Sequence, residues 1–457
     1  MKERQLRKND IVLFLLVLSV FYIIPHSFVS SNFIYSILFY GIVVLWLFFV
    51  KKEGFSIVFI SVIFCIPQIS DDARIDLLKS NISLLYFFNR VIILGMFIGV
   101  CMKKVKIPFF NVNLLLLVLF ILIMSICHSI VSGYPEYMLW LDRILLLFLF
   151  ASIVYVDRME IVKMLFFIDV IMGITFVYVL LDFFFIYSPY AEIYESSYAN
   201  FYEDRAKGLL GHPLILSIAV IFYQILLFSR IVVYKEKLII PWLVCIFLTL
   251  FSVSRTPVLT LGICFFLYII NTSFNTSLFS KIKRVFSLLG LIAVIIVSGY
   301  VFEDYVQSIF YRFSTTEDPH RLAVYDTVLN IVDDYPFGVG ENRLLDIAYS
   351  SKYSEYGLLS FVRTLDNFFA TFYGSYGVLF IFPVCFYYYY FYNLFKDKNV
   401  RKNNIFRTLI VPLYLNITFL GFIVSFESYT MFLVLIAVFI AVFYKELEKQ
   451  ERFIVSN

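Results

Sequence analysis

The residues best suited to chemistry in this chain are arginines: Arg90, Arg143, Arg205, Arg255, Arg312, Arg321, Arg343 and Arg363 lie near the ends of apolar runs or in the polar stretches between them. A guanidinium offers a planar fork of donors that stays charged when desolvated, which suits a phosphate or diphosphate. An ionisable residue held within an apolar run is costly and is a functional hypothesis by default. The bland alternative is an ion pair with a nearby acid, as Asp142 offers Arg143. For Arg143, Arg312 and Arg343 that alternative is preferred. For Arg255, inside Ser254-Arg255-Thr256-Pro257, it is weaker, because no acid is close in sequence.

Three further segments carry polar groups at suggestive spacing. Arg205-Ala206-Lys207-Gly208-Leu209-Leu210-Gly211-His212-Pro213 suits a turn into a helix with proline at its first position. The free N–H groups of such a helix end favour an anion. For His212, capping or packing stands about even with catalysis. The stretch from Arg321 to Gly340 reads as a polar-headed helix stopped by Pro336, after which Gly338 and Gly340 permit close backbone approach. Asp366-Asn367 stands at the mouth of an apolar run, ten residues before Gly377. A carboxylate there can take a proton from a sugar hydroxyl, or cap the following helix, and the two roles are compatible. The chain has no Gly-x-x-x-x-Gly-Lys-Ser/Thr loop, no Gly-x-Ser-x-Gly elbow and no metal-ligand spacing of His, Cys and acids, so neither a metal nor a cofactor is expected. Energy for a reaction would come from the substrate itself.

These residues must be positioned by membrane helices. The 457 residues are 61% hydrophobic and 15% charged, with a mean hydropathy of +0.89, far from the balance of a soluble domain. The apolar runs are continuous rather than alternating, which implies helices and excludes a barrel. A span needs about 20 apolar residues. Such runs fall near 11–29, 33–50, 55–70, 84–101, 109–131, 138–156, 165–187, 214–233, 238–253, 256–272, 285–301, 367–395, 405–425 and 429–444. The first offers no small-residue cleavage site and is read as a span. The fold expected is therefore an all-α polytopic integral membrane protein with about 14 transmembrane helices, within a range of about 12 to 14.

The positive-inside rule places the clusters at Lys51/Lys52, Lys103/Lys104/Lys106, Lys281/Lys283/Arg284 and Lys396/Lys398/Arg401/Lys402 in the cytoplasm, together with both termini. Both flanks of 238–272 are basic, so this stretch is expected to form a short-armed hairpin with Arg255 sunk below the outer surface. The organisation expected is an N-terminal bundle over 1–187 and a central region over 188–301 with an outer loop at 188–213. A large extracytoplasmic loop over 302–366, lying as a lid, and C-terminal helices with a cytoplasmic tail over 367–457 complete it. The net charge of +4 is dispersed, which does not suggest nucleic-acid binding. Cys65, Cys101, Cys127, Cys245, Cys264 and Cys385 lie in or beside apolar runs without CxxC pairs, so no disulfide framework is expected.

At these residues the chain resembles the O-antigen ligase and polymerase superfamily of polytopic bacterial glycosyltransferases. Arg205 with Gly208, His212 and Pro213 is similar to its Arg-x-x-Gly…His-Pro element, and Ser254-Arg255 to the Ser-Arg of a middle hairpin. Arg321 with Pro336, Gly338, Val339 and Gly340 resembles the Arg…Pro-x-Gly-x-Gly stretch, and Asp366-Asn367 with Gly377 the His-Asn…Gly element. The likeness covers about residues 200–395. It implies a GT-C-like transferase of the bacterial inner membrane, independent of metal and nucleotide. The donor it implies is a glycan on undecaprenyl diphosphate, used on the extracytoplasmic face. Arg205, Arg255 and Arg321 would hold the diphosphate, with Arg90, Gly338, Gly340 and Asn367 lining the substrate site. Asp366, or else His212, would be the base. Partners implied are the lipid-linked oligosaccharide, membrane lipid and, from the resemblance alone, a polysaccharide chain-length regulator.

One departure separates two activities. Ligases of the superfamily usually carry His where this chain has Asp366, whereas Wzy-type polymerases often have Asp-Asn. The polymerase is therefore expected, with the ligase that passes finished glycan to lipid A-core as runner-up. A flippase of lipid-linked sugars is a distant third, because it should show repeat symmetry and charge deep in the bundle.

Overall fold

The structure is a computed structural model that describes residues 8–29, 54–65, 112–133, 151–157, 159–184, 206–211, 213–252, 254–273, 319–348, 368–396, 406–420 and 430–456, with single positions at 34, 38, 41, 42, 143, 147, 148, 150, 186, 187 and 350. Every regular element among the described residues is helical. In chain order these are α1 (Lys8–Val29), α2 (Phe55–Cys65), α3 (Val112–Ser132), α4 (Ile161–Phe183), α5 (Pro213–Ser229), α6 (Ile239–Phe251) and α7 (Arg255–Ser273). They continue with α8 (Pro319–Asp334), α9 (Glu341–Ala348), α10 (Phe368–Tyr376), α11 (Ile381–Lys396), α12 (Val411–Leu420) and α13 (Thr430–Ser456).

Among the described residues, Lys8–His26, Ile161–Phe183, Pro213–Tyr234 and Phe368–Lys396 are long and apolar enough to cross a membrane. This is a helical membrane protein, as the composition implies. The spans read at 84–101 and 285–301 lie outside the described residues.

The chain divides into two compact units that interleave in sequence: Met1–Lys104 with Ser152–Ser314, and Val105–Ala151 with Thr315–Asn457. In the first unit α5 is the central element. It is apolar on every side and nearly every side chain is buried, which is how such a helix must sit. Both α6 and α7 pack on it, while α4 packs against α6. The break between α6 and α7 falls at 252–254, at the position read as the tip of a hairpin.

One end of this unit is tied by charged side chains. Asp157 accepts hydrogen bonds from the N–H groups of Gly54, Ser56 and Met159 and from the Ser56 hydroxyl. The Lys163 ammonium meets both oxygens of Asp10 at 3.0 Å. Arg230 donates to both oxygens of Asp169 at 2.7 Å and to Glu236 at 2.7 and 3.2 Å, and the Tyr223 hydroxyl donates to Asp169. Arg230 opens a five-residue π turn, and Lys235 in the left-handed region ends it. Such groups are tolerated at low dielectric only because each finds a partner.

In the second unit α8, α9 and α10 close around Val324, Val328, Ile331, Leu344 and Ala370. The helix read from Arg321 and stopped by Pro336 is thus realised in α8, which packs on α10. A second cluster joins α3 to α10 through Met124, Phe372, Tyr376 and Phe380. The run read as one span at 367–395 is interrupted by a 3-10 turn at Gly377–Phe380 between α10 and α11. A π turn at Phe406–Ile410 leads into α12, and α13 continues for 27 residues, well past its apolar part.

Candidate functional site

The family-like segments are brought together in pairs, one pair in each unit. In the second unit α8 stops at Asp334 because Pro336 has no N–H to continue it. The Gly338 N–H turns back to the Tyr335 carbonyl at 2.7 Å. The chain then runs beside residues 374–378. The Val339 N–H donates to the Gly374 carbonyl (3.1 Å), the Gly340 N–H to Ser375 (2.9 Å) and the Val378 N–H to Pro336 (2.9 Å).

This approach needs glycine on both sides. Gly338 (φ 79°), Gly340 (φ 84°) and Gly377 (φ 56°) adopt left-handed backbone. A Cβ on Gly338 would strike the Ser375 carbonyl, and one on Gly377 would strike the Pro336 carbonyl, each well inside van der Waals distance. The Pro-x-Gly-x-Gly stretch and Gly377 are therefore two faces of one backbone contact.

Side chains brace the same contact. Glu341 is the first residue of α9, where its charge suits the helix dipole. Arg143 grips it with Nη1 at 2.9 Å from Oε1 and 2.8 Å from Oε2. The Tyr376 hydroxyl reaches Oε1 at 3.4 Å. His128 on α3 sets its ring edge-on to Tyr376, with centroids 5.4 Å apart, and hydrogen-bonds to the backbone of Phe337. The expected ion pair of Arg143 is present, with an acid 198 residues away, and Asp142 lies outside the described residues. Arg343, expected to be paired, has no carboxylate partner among the described residues.

In the first unit the segment before α5 is anchored by Asp182, in the last turn of α4. Its Oδ2 accepts the N–H groups of Lys207 at 2.6 Å and Gly208 at 2.8 Å. The Ala206 N–H donates to the Phe251 carbonyl at 3.2 Å. A 3-10 turn over Gly208–Leu210 ends at Gly211 in left-handed conformation, and Pro213 starts α5. The Ala206 contact joins this segment to the break that holds Ser254-Arg255, so the starts of α5 and α7 come to one end of the unit. At that break Ser254 and Thr256 share a hydroxyl hydrogen bond of 3.0 Å. Pro257 fits as the third residue of α7, within the turn that needs no backbone donor.

Of the residues read from the sequence, Gly338 and Gly340 stand in the backbone contact just described. Arg255 is the first residue of α7, and Arg321 lies in the first turn of α8. Arg90, Arg205, His212, Asp366 and Asn367 lie outside the described residues. Sequence reasoning missed Asp182, Glu341, His128 and Tyr376. Asp182 had a signal: an acid in the last turn of an apolar helix stands where the dipole disfavours it.

With this geometry in place, residues 240–385 match the family model described as O-antigen ligase. The match runs from the start of α6 into α11 and takes in the Ser-Arg, Pro-x-Gly-x-Gly and Asp-Asn…Gly segments. No curated protein matches the chain. Over residues 240–385, then, this chain is similar to the O-antigen ligase family, as a member of the O-antigen ligase and polymerase superfamily would be.

Proposed function

We propose that this chain is a Wzy-type polysaccharide polymerase. It moves a growing glycan from undecaprenyl diphosphate onto a new lipid-linked repeat unit at the extracytoplasmic face of a bacterial inner membrane. The acceptor hydroxyl oxygen attacks the anomeric carbon of the donor sugar, the bond to the diphosphate oxygen breaks, and undecaprenyl diphosphate leaves. Asp366 takes the hydroxyl proton, with His212 as the alternative base. Arg205, Arg255 and Arg321 hold the diphosphate and stabilise the charge growing on it, and Arg90 and Asn367 contribute to the substrate site.

The observation that carries this reading is the pairing of the four segments. The Arg205–Pro213 stretch meets the Ser254-Arg255 break through Ala206 and Phe251, and Pro336–Gly340 meets Gly377. Arg255 at the start of a 19-residue helix adds a cation to a dipole already favourable for an anion. Gly338 has main chain of Ser375 and Tyr376 where a side chain would stand, and Gly340 adopts left-handed backbone beside it.

The choice of polymerase rests on Asp366-Asn367 in place of His-Asn. The ligase is the second reading, and it is the activity that the family description names. About 14 spans in a GT-C-like arrangement, cytoplasmic termini and a chain-length regulator as partner belong to the same proposal.

The test is the glycan of a deletion strain, resolved by size on the cell surface and on the lipid carrier, and complemented with wild type or Arg321→Ala. Single repeat units on the core without a ladder support the polymerase. Long chains stranded on the carrier mean a ligase, and repeat units held at the cytoplasmic leaflet mean a flippase. Arg255→Lys should lower transfer by about 100-fold, since the ammonium lacks the guanidinium fork. An unimpaired Arg255→Ala would remove Arg255 from the mechanism.

A further inference from the structure

Asp182 stands at an electrostatically poor place. The last turn of α4 presents partial negative charge, so a carboxylate there is disfavoured where a neutral residue would not be. Something else must hold it. Lys207 is in right-handed helical conformation and Gly208 is left-handed at φ 55°. That alternation turns two successive N–H groups to the same side and makes a small anion-binding concavity. Both N–H groups converge on one oxygen of Asp182, at 2.6 and 2.8 Å. One turn earlier on the same helix, Val179 lies where a Cβ on residue 208 would stand, its Cγ2 2.7 Å from that position. Position 208 is thereby closed to side chains, and its glycine keeps the two amides aligned.

We propose that Asp182 is a positioning residue for the donor diphosphate. It occupies the Lys207–Gly208 concavity as a built-in anion and so fixes the backbone of residues 206–211, which Arg205 and His212 flank in sequence. The Ala206 bond to Phe251 carries that constraint across to the start of α7, where Arg255 stands. Asp182 thus fixes the segment that follows Arg205 in sequence against the end of α6, next to the start of α7. This inference rests on the polymerase reading for the identity of the donor, but the anchoring itself does not.

The experiment uses the full chain, purified in lipid nanodiscs, as wild type, Asp182→Ala and Asp182→Asn. Amide hydrogen exchange over residues 206–211 reads the anchor. Transfer from purified lipid-linked repeat units reads KM for the donor and kcat separately. In Asp182→Ala the Lys207 and Gly208 amides should exchange about 10-fold faster, and KM for the donor should rise about 10-fold with a smaller change in kcat. Asp182→Asn keeps an acceptor oxygen and should retain most of both, which makes it the informative variant if the alanine does not fold.

Unchanged exchange in Asp182→Ala overturns the anchor. Faster exchange with KM unmoved reduces Asp182 to a structural residue and overturns its link to the donor. If wild type transfers nothing from lipid-linked repeat units, the polymerase reading falls and the donor assignment with it. The exchange result still decides the anchor in that case.

Discussion

The two pairs of segments are held by different kinds of atom. In the first unit a side chain does the holding: one carboxylate oxygen of Asp182 gathers two amides, and any residue that presents an oxygen there can substitute in part. In the second unit the holding is backbone on backbone, with Gly338 and Gly377 pressed against the carbonyls of Ser375 and Pro336. Such a contact has no partial replacement, because every side chain except hydrogen meets a main-chain atom that cannot rotate away. The contrast teaches where substitutions should be graded in effect and where they should be all or none.

The sharpest way to break the contrast is to add a methyl group in the second unit. Gly377→Ala and Gly338→Ala should each displace the 336–340 segment by an ångström or so and lower transfer by about 100-fold, as misplacement on that scale does. Transfer assays on membranes holding normal amounts of protein check this, and activity near wild type would refute the interlock.

Next comes the brace. Arg143 and Glu341 are both largely buried, so Arg143→Ala leaves the Glu341 carboxylate without its guanidinium and should cost about 3 kcal/mol. The neutral pair Arg143→Met with Glu341→Gln should recover most of that loss. A double-mutant cycle on thermal unfolding in detergent measures the coupling.

A smaller effect is expected at Gly208→Ala, where the obstacle is the Val179 side chain rather than backbone. Left-handed strain of about 1–2 kcal/mol should dominate, and adding Val179→Ala should relieve only the steric part. Unfolding of the single and double variants separates the two contributions.

The smallest effect should have the opposite sign. Gly173 in α4 and Gly262 in α7 face open space, so alanine at either should stabilise its helix by up to about 1 kcal/mol without changing transfer. A loss of activity at either position would show that glycine there serves something other than helix formation.

The class of fold was readable because an apolar run of span length has few other uses, and α1, α4 and α5 fall where such runs were expected. The ends of α8 were readable from Pro336, and the break at 252–254 from the single charge in an apolar stretch. What the sequence did not disclose depends on distance along the chain. Glu341 pairs with Arg143 across 198 residues and Asp182 holds amides 25 and 26 residues away, so neither relation leaves a local pattern. His128 and Tyr376 look like ordinary members of apolar helices until α3 and α10 are seen side by side. Gly377 was legible as a letter of a motif, yet its reason, a carbonyl of Pro336 in the way of any Cβ, needed three dimensions.

The last helix has a practical consequence. At 1.5 Å per residue, the 27 residues of α13 form a rod about 40 Å long, against hydrocarbon about 30 Å thick. In the proposed topology, where α13 is the last span, some seven residues' worth of helix, about 10 Å, would stand clear of the bilayer as a stiff post. A helical protein fused in register at Ser456 would inherit the orientation of that post instead of swinging on a linker. That would give a small, mostly lipid-buried particle the visible landmark that image alignment in electron microscopy requires.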